Sequence, residues 1–503
     1  MKRNLKAGFL IIVLLSLLCN SIIYTVHPST VNQSSSENIS ESDMCWPMFG
    51  NNAQNTRTSP YSTGDNPGGE RWRFHADFQL HYSTPVIDDE GTLYIPDHFD
   101  ELYAVYPNGT LKWVKKLDNN GGVFQPALGS DGTIYVGTFH HFYALHKNGT
   151  IKWTLPVTDI FAGNPVIGPN GTIYVGTMNT LYAVNPIGNI VWNYTIGRDV
   201  VGISIDHLGN IYITSLSDLF SLRPNGTLRW FFDTGWLIDA PTISEDGTIY
   251  VTDGSFMYSL DQGGNIIWKV DSPFGAAPSI APDGTLIATS FQSSKIVAVD
   301  PLNGHTLWAY DIGRNFNVMS AASIDSDGTI YFAACNQDLY LYAMTPTGTF
   351  KWRTKLTCEY TYSIAYIDAT PSIGKDGTVY VTTWFTGDEE RAGYIHAVGG
   401  GKIQNIEDGY LHFFGKKVIK TLLKKTIVIG TFKLQMKFFH PENLDAVEVL
   451  IDNTTIYTLE SPPYEYWFNT RLVGTHQLEL RGYYNDGVIS KEKKTVLFFI
   501  KGT

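Results

Sequence analysis

One phrase, written eight times with small changes, limits what this chain can become. Asp-Gly or a close equivalent followed by a short β-rich run recurs as "DEGTLYIPD" at Gly91, "SDGTIYVGT" at Gly132, "PNGTIYVGT" at Gly171 and "HLGNIYITS" at Gly209. It continues as "EDGTIYVTD" at Gly247, "PDGTLIATS" at Gly284, "SDGTIYFAA" at Gly328 and "KDGTVYVTT" at Gly377. The first seven copies each end in a tryptophan, at Trp113, Trp153, Trp192, Trp230, Trp268, Trp308 and Trp352, spaced 38 to 44 residues apart. A fixed period of that size is the mark of a repeat architecture in which one small sheet is made over and over.

Four strands can be read inside a single copy: "APTIS", "TIYVTDG", "FMYSLD" and "NIIWKV", each short and rich in β-branched and aromatic residues. Asp-Gly or Asn-Gly links the first strand to the second, and Asn-Gly or Gly-Asn often links the third to the fourth. These dipeptides reach the positive φ that tight hairpin turns need. Four strands per 40 residues is the unit of a β-propeller blade, and a tryptophan on the outer strand offers a flat apolar surface to the next blade. The eighth copy, from Pro371 to about Val398, lacks its tryptophan, and an unclaimed one stands ahead of the first copy in "ERWRF", at Trp72. The strand around Trp72 is therefore expected to complete the last blade and close the ring. The fold expected is all-β: an eight-bladed propeller over residues 45–401, with seven blades as the rival count, followed by a small β-sandwich.

The segment "VAVDPLNGHTLWAYDIG" resembles the tryptophan-docking pattern of the pyrroloquinoline quinone (PQQ)-like β-propeller repeat family, through Ala298, Asp300, Gly304, Trp308 and Gly313. "YAVNPIGNIVW" and "YALHKNGTIKW" keep the Ala, Gly and Trp. "CWPMFGNNAQNTRTS", Cys45 to Ser59, is similar to the segment preceding such propellers in exported prokaryotic proteins. The resemblance spans roughly residues 45 to 400. It implies either a quinoprotein dehydrogenase holding PQQ and calcium or a non-catalytic BamB-type scaffold. Dehydrogenases of the family are expected to carry adjacent cysteines or a comparable cofactor clamp, with acidic calcium ligands. No adjacent cysteines occur here, so the resemblance favours the scaffold branch, with no cofactor and no enzymatic activity expected.

The ends add context. "MKRNLKAGFLIIVLLSLLCNSIIY", residues 1–24, places Lys2, Arg3 and Lys6 ahead of an apolar run, the layout of an export signal that is either cleaved or kept as a membrane anchor. Residues 25–44 read as a flexible linker. Glycosylation triplets stand at Asn32, Asn38, Asn108, Asn148, Asn170, Asn193, Asn225 and Asn453, although Asn108, Asn148, Asn170 and Asn225 are explained first as hairpin turns. In an exported chain Cys335 and Cys358 are candidates for a disulfide. After residue 401 the rhythm stops and the charge changes: residues 402–503 hold 14 Lys and Arg against 11 Asp and Glu, whereas residues 1–401 hold 22 against 37. "VEVLIDNTTIYTLESPPYEYWFNTRLVGTHQLELRGYYNDG" resembles the Ig-like domains appended to exported bacterial and archaeal proteins, which implies a β-sandwich over roughly residues 425–500, within a tail domain of 402–503.

A net charge of −12 without clustered Lys and Arg in the repeats speaks against nucleic acid as a partner. Comparing copies within the chain divides the propeller into two faces. The first-to-second and third-to-fourth turns hardly vary, but the links from each outer strand to the next inner strand differ every time, and with the second-to-third turns they form the opposite face. Binding residues favour variable loops on a rigid scaffold. The candidates on that face are Phe124, Phe161, Arg198, Trp236, Asp239, Phe274, Arg314, Phe316, Tyr360, Tyr362 and Tyr366. His98, Asp100 and Glu101 in one turn and His140 and His141 in the next are conceivable metal ligands, and Asp88 with Asp89, and Asp325 with Asp327, faintly resemble calcium loops. Exposed turn residues and hairpin turns account for both sets, so no metal is expected. The function expected is an exported cell-surface binding or scaffold protein for a protein, peptide or glycan; the alternative is a PQQ-dependent oxidoreductase.

Overall fold

The computed structural model describes residues 45–399, apart from 65, 67, 119–121, 158–162, 234–238, 272–275, 291–293, 314–319, 336–337, 357–363 and 387–390, together with the strands beyond residue 401 given below. The expected export signal and linker lie outside the described residues. Among the described residues there are strands and turns but no helix.

Seven four-stranded antiparallel meanders follow one another, the repeated sheets of a propeller. In sheet one the strands are Val86–Ile87, Leu93–Pro96, Glu101–Val105 and Leu111–Lys116, from inner to outer. Sheets two to seven repeat the order, ending in the outer strands Ile151–Pro156, Ile190–Thr195, Leu228–Asp233, Ile266–Asp271, Thr306–Asp311 and Phe350–Leu356. Burial follows from stacking. The second strands, such as Ile134–Gly137, are buried at every position because a neighbouring sheet covers each face. The outer strands alternate between exposed and half-buried.

The closing sheet is made from both ends of the repeat region. Glu70–Ala76 pairs antiparallel with Arg391–Val398, Trp72 opposite Ala397 and Phe74 opposite Ile395, and Arg391–Val398 continues to Val379–Thr386 and Ser372–Ile373. The early strand thus completes the last sheet, as the displaced Trp72 predicts. Within that sheet His396 is fully buried, with Nδ1 2.6 Å from Glu70 Oε1 and Nε2 2.9 Å from Thr383 Oγ1. Ser372 Oγ donates to Pro85 O of sheet one, extending a series in which Thr242 bonds Pro278 O and Ser279 bonds Ala322 O in successive sheets.

Each predicted docking tryptophan lies on the third-to-fourth turn of the following sheet. The indole N–H of Trp113 donates to Lys147 O, Trp153 to Pro186 O, Trp192 to Pro224 O, Trp230 to Gln262 O, Trp268 to Pro301 O and Trp308 to Pro346 O, all within 2.8–3.1 Å. Two more docks carry the pattern through the closing sheet: Trp352 donates to Asn66 O and Trp72 to Pro107 O. Under each ring lies a glycine. At Gly348 φ is +77° and an added Cβ would fall 2.5 Å from the Trp308 ring; at Gly68 φ is +91° and the Trp352 ring would be 2.6 Å away. Tyr94, Tyr135, Tyr174, Tyr212, Tyr250, Tyr331 and Tyr380 of the second strands back these rings at 5.7–6.0 Å.

Residues 46–61 run inside the ring. Trp46 exchanges two backbone bonds with Ile87, Pro47 O accepts from Leu128 N, Ala53 O from Ile205 N, Gln54 O from Ile243 N, Thr56 O from Ile280 N and Arg57 O from Ile324 N. These partners end the inner strands of sheets one, two, four, five, six and seven, in ring order. Met48 and Ala53 pack in the cluster that contains Ile167 of sheet three. The innermost strand of a propeller sheet is an edge with unpaired N–H groups, and this strap satisfies them. Its curl needs left-handed backbone at Gly50, Asn51, Asn55 and Arg57, with φ between +58° and +72°. Arg57 is held there by its fully buried guanidinium, which donates to Asp239 at 2.7 Å and Thr242 Oγ1 at 3.2 Å.

Beyond residue 401 the described strands form a three-stranded sheet and a seven-stranded sheet. The latter includes Leu444–Ile451, Thr454–Leu459, Leu472–Tyr484 and Ile489–Ile500, and contains parallel pairings of Thr426–Ile429 with Tyr410–Phe413 and with Ile489–Ile500.

Gly348→Ala is expected to destabilise by roughly 2–4 kcal/mol, combining left-handed backbone strain with overpacking against Trp308. Gly197→Ala, at φ +80° with open space around it, is expected to lose only about 1–2 kcal/mol. Urea denaturation of the two variants side by side checks the difference.

Candidate functional site

The variable face is best defined where the closing sheet meets sheet one. Three pieces converge: residues 77–85, linking Glu70–Ala76 to Val86–Ile87; the second-to-third turn of sheet one, residues 97–100; and the ends of Ile364–Tyr366 and Val379–Thr386. Val379–Thr386 and Arg391–Val398 are eight residues long, against four or five for their counterparts in sheets one to six. Their extra length raises a hairpin on this face. Gly393 lets the link cross that hairpin closely, since a Cβ there would come within 2.4 Å of Leu80.

The side chains brought together are aromatic and imidazole. Tyr366 stacks on Trp384 with centroids 4.3 Å apart, and the His81 ring meets Trp384 edge-on at 4.7 Å, Tyr82 at 4.0 Å and His98 at 5.4 Å. Phe78 packs on Phe99 at 5.0 Å. Gly122 joins this group to sheet two, lying against His98 O and the Phe139 ring, and Phe139 meets Phe124 edge-on at 5.7 Å. Gln125 Nε2 donates to Tyr82 O. The result is a contiguous aromatic arc over three sheets. Tyr82 at 56% exposure, with Phe78 and Phe139 also exposed, opens it to solvent.

Beneath the arc sits Asp368. Oδ1 accepts the Tyr82 N–H at 3.0 Å, and Oδ2 accepts the Trp384 indole N–H at 2.8 Å and lies 3.3 Å from His81 Nε2. Burial pushes the Asp368 carboxyl up to about 6 despite these donors. Burial, then the nearby His98, pulls the His81 imidazole down to about 4. Asp97, which shapes the neighbouring turn by accepting the N–H groups of Phe99, Asp100 and Glu101, is pushed up by burial to about 6. One carboxylate therefore anchors both sides of the joint.

With this geometry established, comparison with known proteins gives the lineage. A family profile described as "Outer membrane protein assembly factor BamB" matches residues 62–219 and 202–398. The chain belongs to that family. Among solved structures it is similar to the quinohemoprotein alcohol dehydrogenase of Comamonas testosteroni (14% identity, 74% of this chain and 84% of that one, TM-score 0.57). It is similar also to the C-terminal WD40 domain of Sif2 (13% identity, 67% and 99% covered, TM-score 0.53) and to BamB of Moraxella catarrhalis (14% identity, 66% and 99%, TM-score 0.49). The first two share the propeller fold with this chain. No curated protein matches the chain in sequence.

In this BamB-type propeller the foreseen binding residues divide into several groups. Tyr366 and Phe124 belong to the arc. Arg198 is exposed on another link and donates to Ser217 Oγ at 2.5 Å. Asp239 is committed to the strap, accepting from Arg57 and from the N–H of Ala277. Phe161, Trp236, Phe274, Arg314, Phe316, Tyr360 and Tyr362 lie outside the described residues. Cys335 is a buried thiol, and its foreseen partner Cys358 lies outside the described residues. His141 Nδ1 lies 3.2 Å from Asp118 on the link that enters its sheet, and the His140 N–H donates to Thr138 Oγ1. Asp100 pairs with Lys116 and Glu101 accepts from Tyr103. Asp88 and Asp325 hold hairpin turns, accepting from Thr92 N and Thr329 N, and Asp325 also accepts from Thr63 N; Asp89 pairs with Lys147 of sheet two, and Asp327 accepts from Ser62. Among the described residues no three His, Cys, Asp or Glu converge as metal ligands.

His81, Tyr82, Phe78 and Trp384 are absent from the sequence-derived candidates. The signal was present: once Trp72 is recognised as an outer-strand tryptophan, "HADFQLHYST" after it is one more variable link.

The pH response of the joint has a definite sign. A carboxyl raised from 3.8 to about 6 in the folded state holds its proton more tightly when folded, so its contribution to stability falls as pH rises through that window. An imidazole lowered from 6.5 to about 4 does the opposite. Relative to Asp368→Asn, the wild-type melting temperature should fall between pH 4 and 6; relative to His81→Phe, it should rise between pH 4 and 6.5. Paired thermal melts across this range check both slopes.

Proposed function

We propose that this chain is an exported, cell-surface binding or scaffold protein. In this reading an eight-bladed propeller presents the aromatic arc to a protein, peptide or glycan partner, and an Ig-like tail serves as a spacer or adhesive unit. No cofactor and no catalysis are part of it. The observation that carries the reading is the arc itself, with exposed Tyr82, Phe78 and Phe139 held in place by a rigid scaffold. Large, rigid amphipathic rings on an exposed surface are what partner recognition favours, because they offer contact area with few rotamers to freeze. Membership of the BamB family supports protein-protein interaction in general.

The test compares wild type with the triple variant Phe78→Ala, Tyr82→Ala and Phe139→Ala for binding to cell-envelope fractions and to an immobilised glycan panel. A drop in binding of about tenfold or more, corresponding to about 1.4 kcal/mol, is expected with the fold intact by circular dichroism. Wild-type binding by the folded variant would refute the reading. The rival quinoprotein reading has a direct test as well. Titration with PQQ and calcium is expected to leave the melting temperature unchanged, and a saturable rise would replace the binding reading with an oxidoreductase.

A further inference from the structure

The eight outer strands of the propeller are edges open to solvent, and edges are usually guarded by charge against pairing with another chain. Seven of them obey: "ERWRFHA", "LKWVKK", "IKWTLP", "LRWFFD", "IIWKVD", "TLWAYD" and "FKWRTKL" each hold at least one Lys, Arg, Asp or Glu. The outer strand of sheet three, Ile190–Thr195, reads "IVWNYT" and holds none. Its apolar side chains are open: Ile190 is 42% and Val191 58% exposed. This unguarded edge is also the outer strand that carries a glycosylation triplet, Asn193-Tyr194-Thr195.

The structure separates Asn193 from the other described triplets. In the Asn-Gly-Thr turns, Oδ1 of Asn108, Asn148 and Asn225 accepts both the backbone N–H and the hydroxyl of the threonine two residues on, and Asn170 Oδ1 accepts the N–H of Thr172. Asn453 takes left-handed backbone, φ +65°, in a hairpin turn. Asn193 lies in regular strand opposite Tyr182, exposed, with the exposed Thr195 on the same face, while Tyr194 points the other way and packs against the sheet-three core. Neither side chain has a hydrogen-bond partner among the described residues, so amide and hydroxyl stand side by side and uncommitted.

We propose that Asn193 carries an N-linked glycan that guards the outer edge of sheet three in place of charge. The inference rests on the export reading, since the donor would be a polyisoprenyl-phosphate-linked or polyisoprenyl-pyrophosphate-linked oligosaccharide met outside the cytoplasm. In the transfer, Asn193 Nδ2 forms a bond to the anomeric carbon of the first sugar, the anomeric carbon–oxygen bond to the lipid phosphate breaks, and the proton lost by Nδ2 leaves with the phosphate. Hydrated sugar over Ile190 and Val191 blocks approach of a second strand.

The test expresses the full chain in a host that N-glycosylates exported proteins and purifies the form found outside the cytoplasmic membrane. Electron-transfer fragmentation mass spectrometry is expected to place a glycan on Asn193. Asn193→Gln should lose that mass and self-associate at roughly tenfold lower concentration in sedimentation velocity, whereas Asn193→Lys should lose the mass yet stay as dispersed as wild type. Unmodified Asn193 in the exported form overturns the site. A modified Asn193 whose replacement by Gln leaves association unchanged overturns the guarding role. A chain found only inside the cell overturns the export reading, and this inference with it, an outcome told apart by location alone.

Discussion

The contact between an indole and a glycine governs this molecule. Each docking tryptophan needs a neighbour without a Cβ and with left-handed backbone, and each such glycine lies just ahead of the strand that carries the next tryptophan. One residue type thus sets the turn and admits the ring. Because the joints recur sheet after sheet and pass through Trp352 and Trp72, a defect at one joint is felt as a misfit round the whole circle. The hydroxyl bonds between successive inner strands, such as Thr242 to Pro278, tie the same joints nearer the axis.

A radial sheet has two edges, and they are managed differently here. The inner edges share one strap, which gives carbonyls to six sheets in turn and is pinned by the Arg57–Asp239 pair. Asp239 also caps Ala277, so a residue on a variable link belongs to the machinery of the axis. The outer edges face water one at a time. The aromatic arc occupies the surface between them, where the links end, at the joint where the two ends of the repeat region meet.

How far the sequence could be read depended on which atoms do the work. Side-chain repetition announced the sheets, the docking tryptophans and the closing strand, because Trp72 was missing from one place and present in another. The strap was only partly visible in "CWPMFGNNAQNTRTS". Its bonds are made mostly by backbone carbonyls, which leave no residue-type signature, and only the Asn and Gly residues hint at the left-handed curl. The site was legible as a face but not as a cluster. Tyr366 and Phe124 were identifiable as link aromatics, yet their assembly with His81 and Trp384 depends on a hairpin lengthened by a few residues and on Asp368 beneath it, features that become visible only in three dimensions.

The strap also imposes an order of events. Residues 46–61 are synthesised before every sheet they bind, yet their partners extend to Ile324, and Glu70–Ala76 must wait for Arg391–Val398. For most of its biosynthesis the chain therefore holds two early segments without their partners. A chain stopped before the last copy would be a string of sheets with an open seam and Glu70–Ala76 unpaired, a species exposed to aggregation and proteolysis. Completion of the last hairpin ends that exposure, because only then can Glu70–Ala76 find its partner in Arg391–Val398.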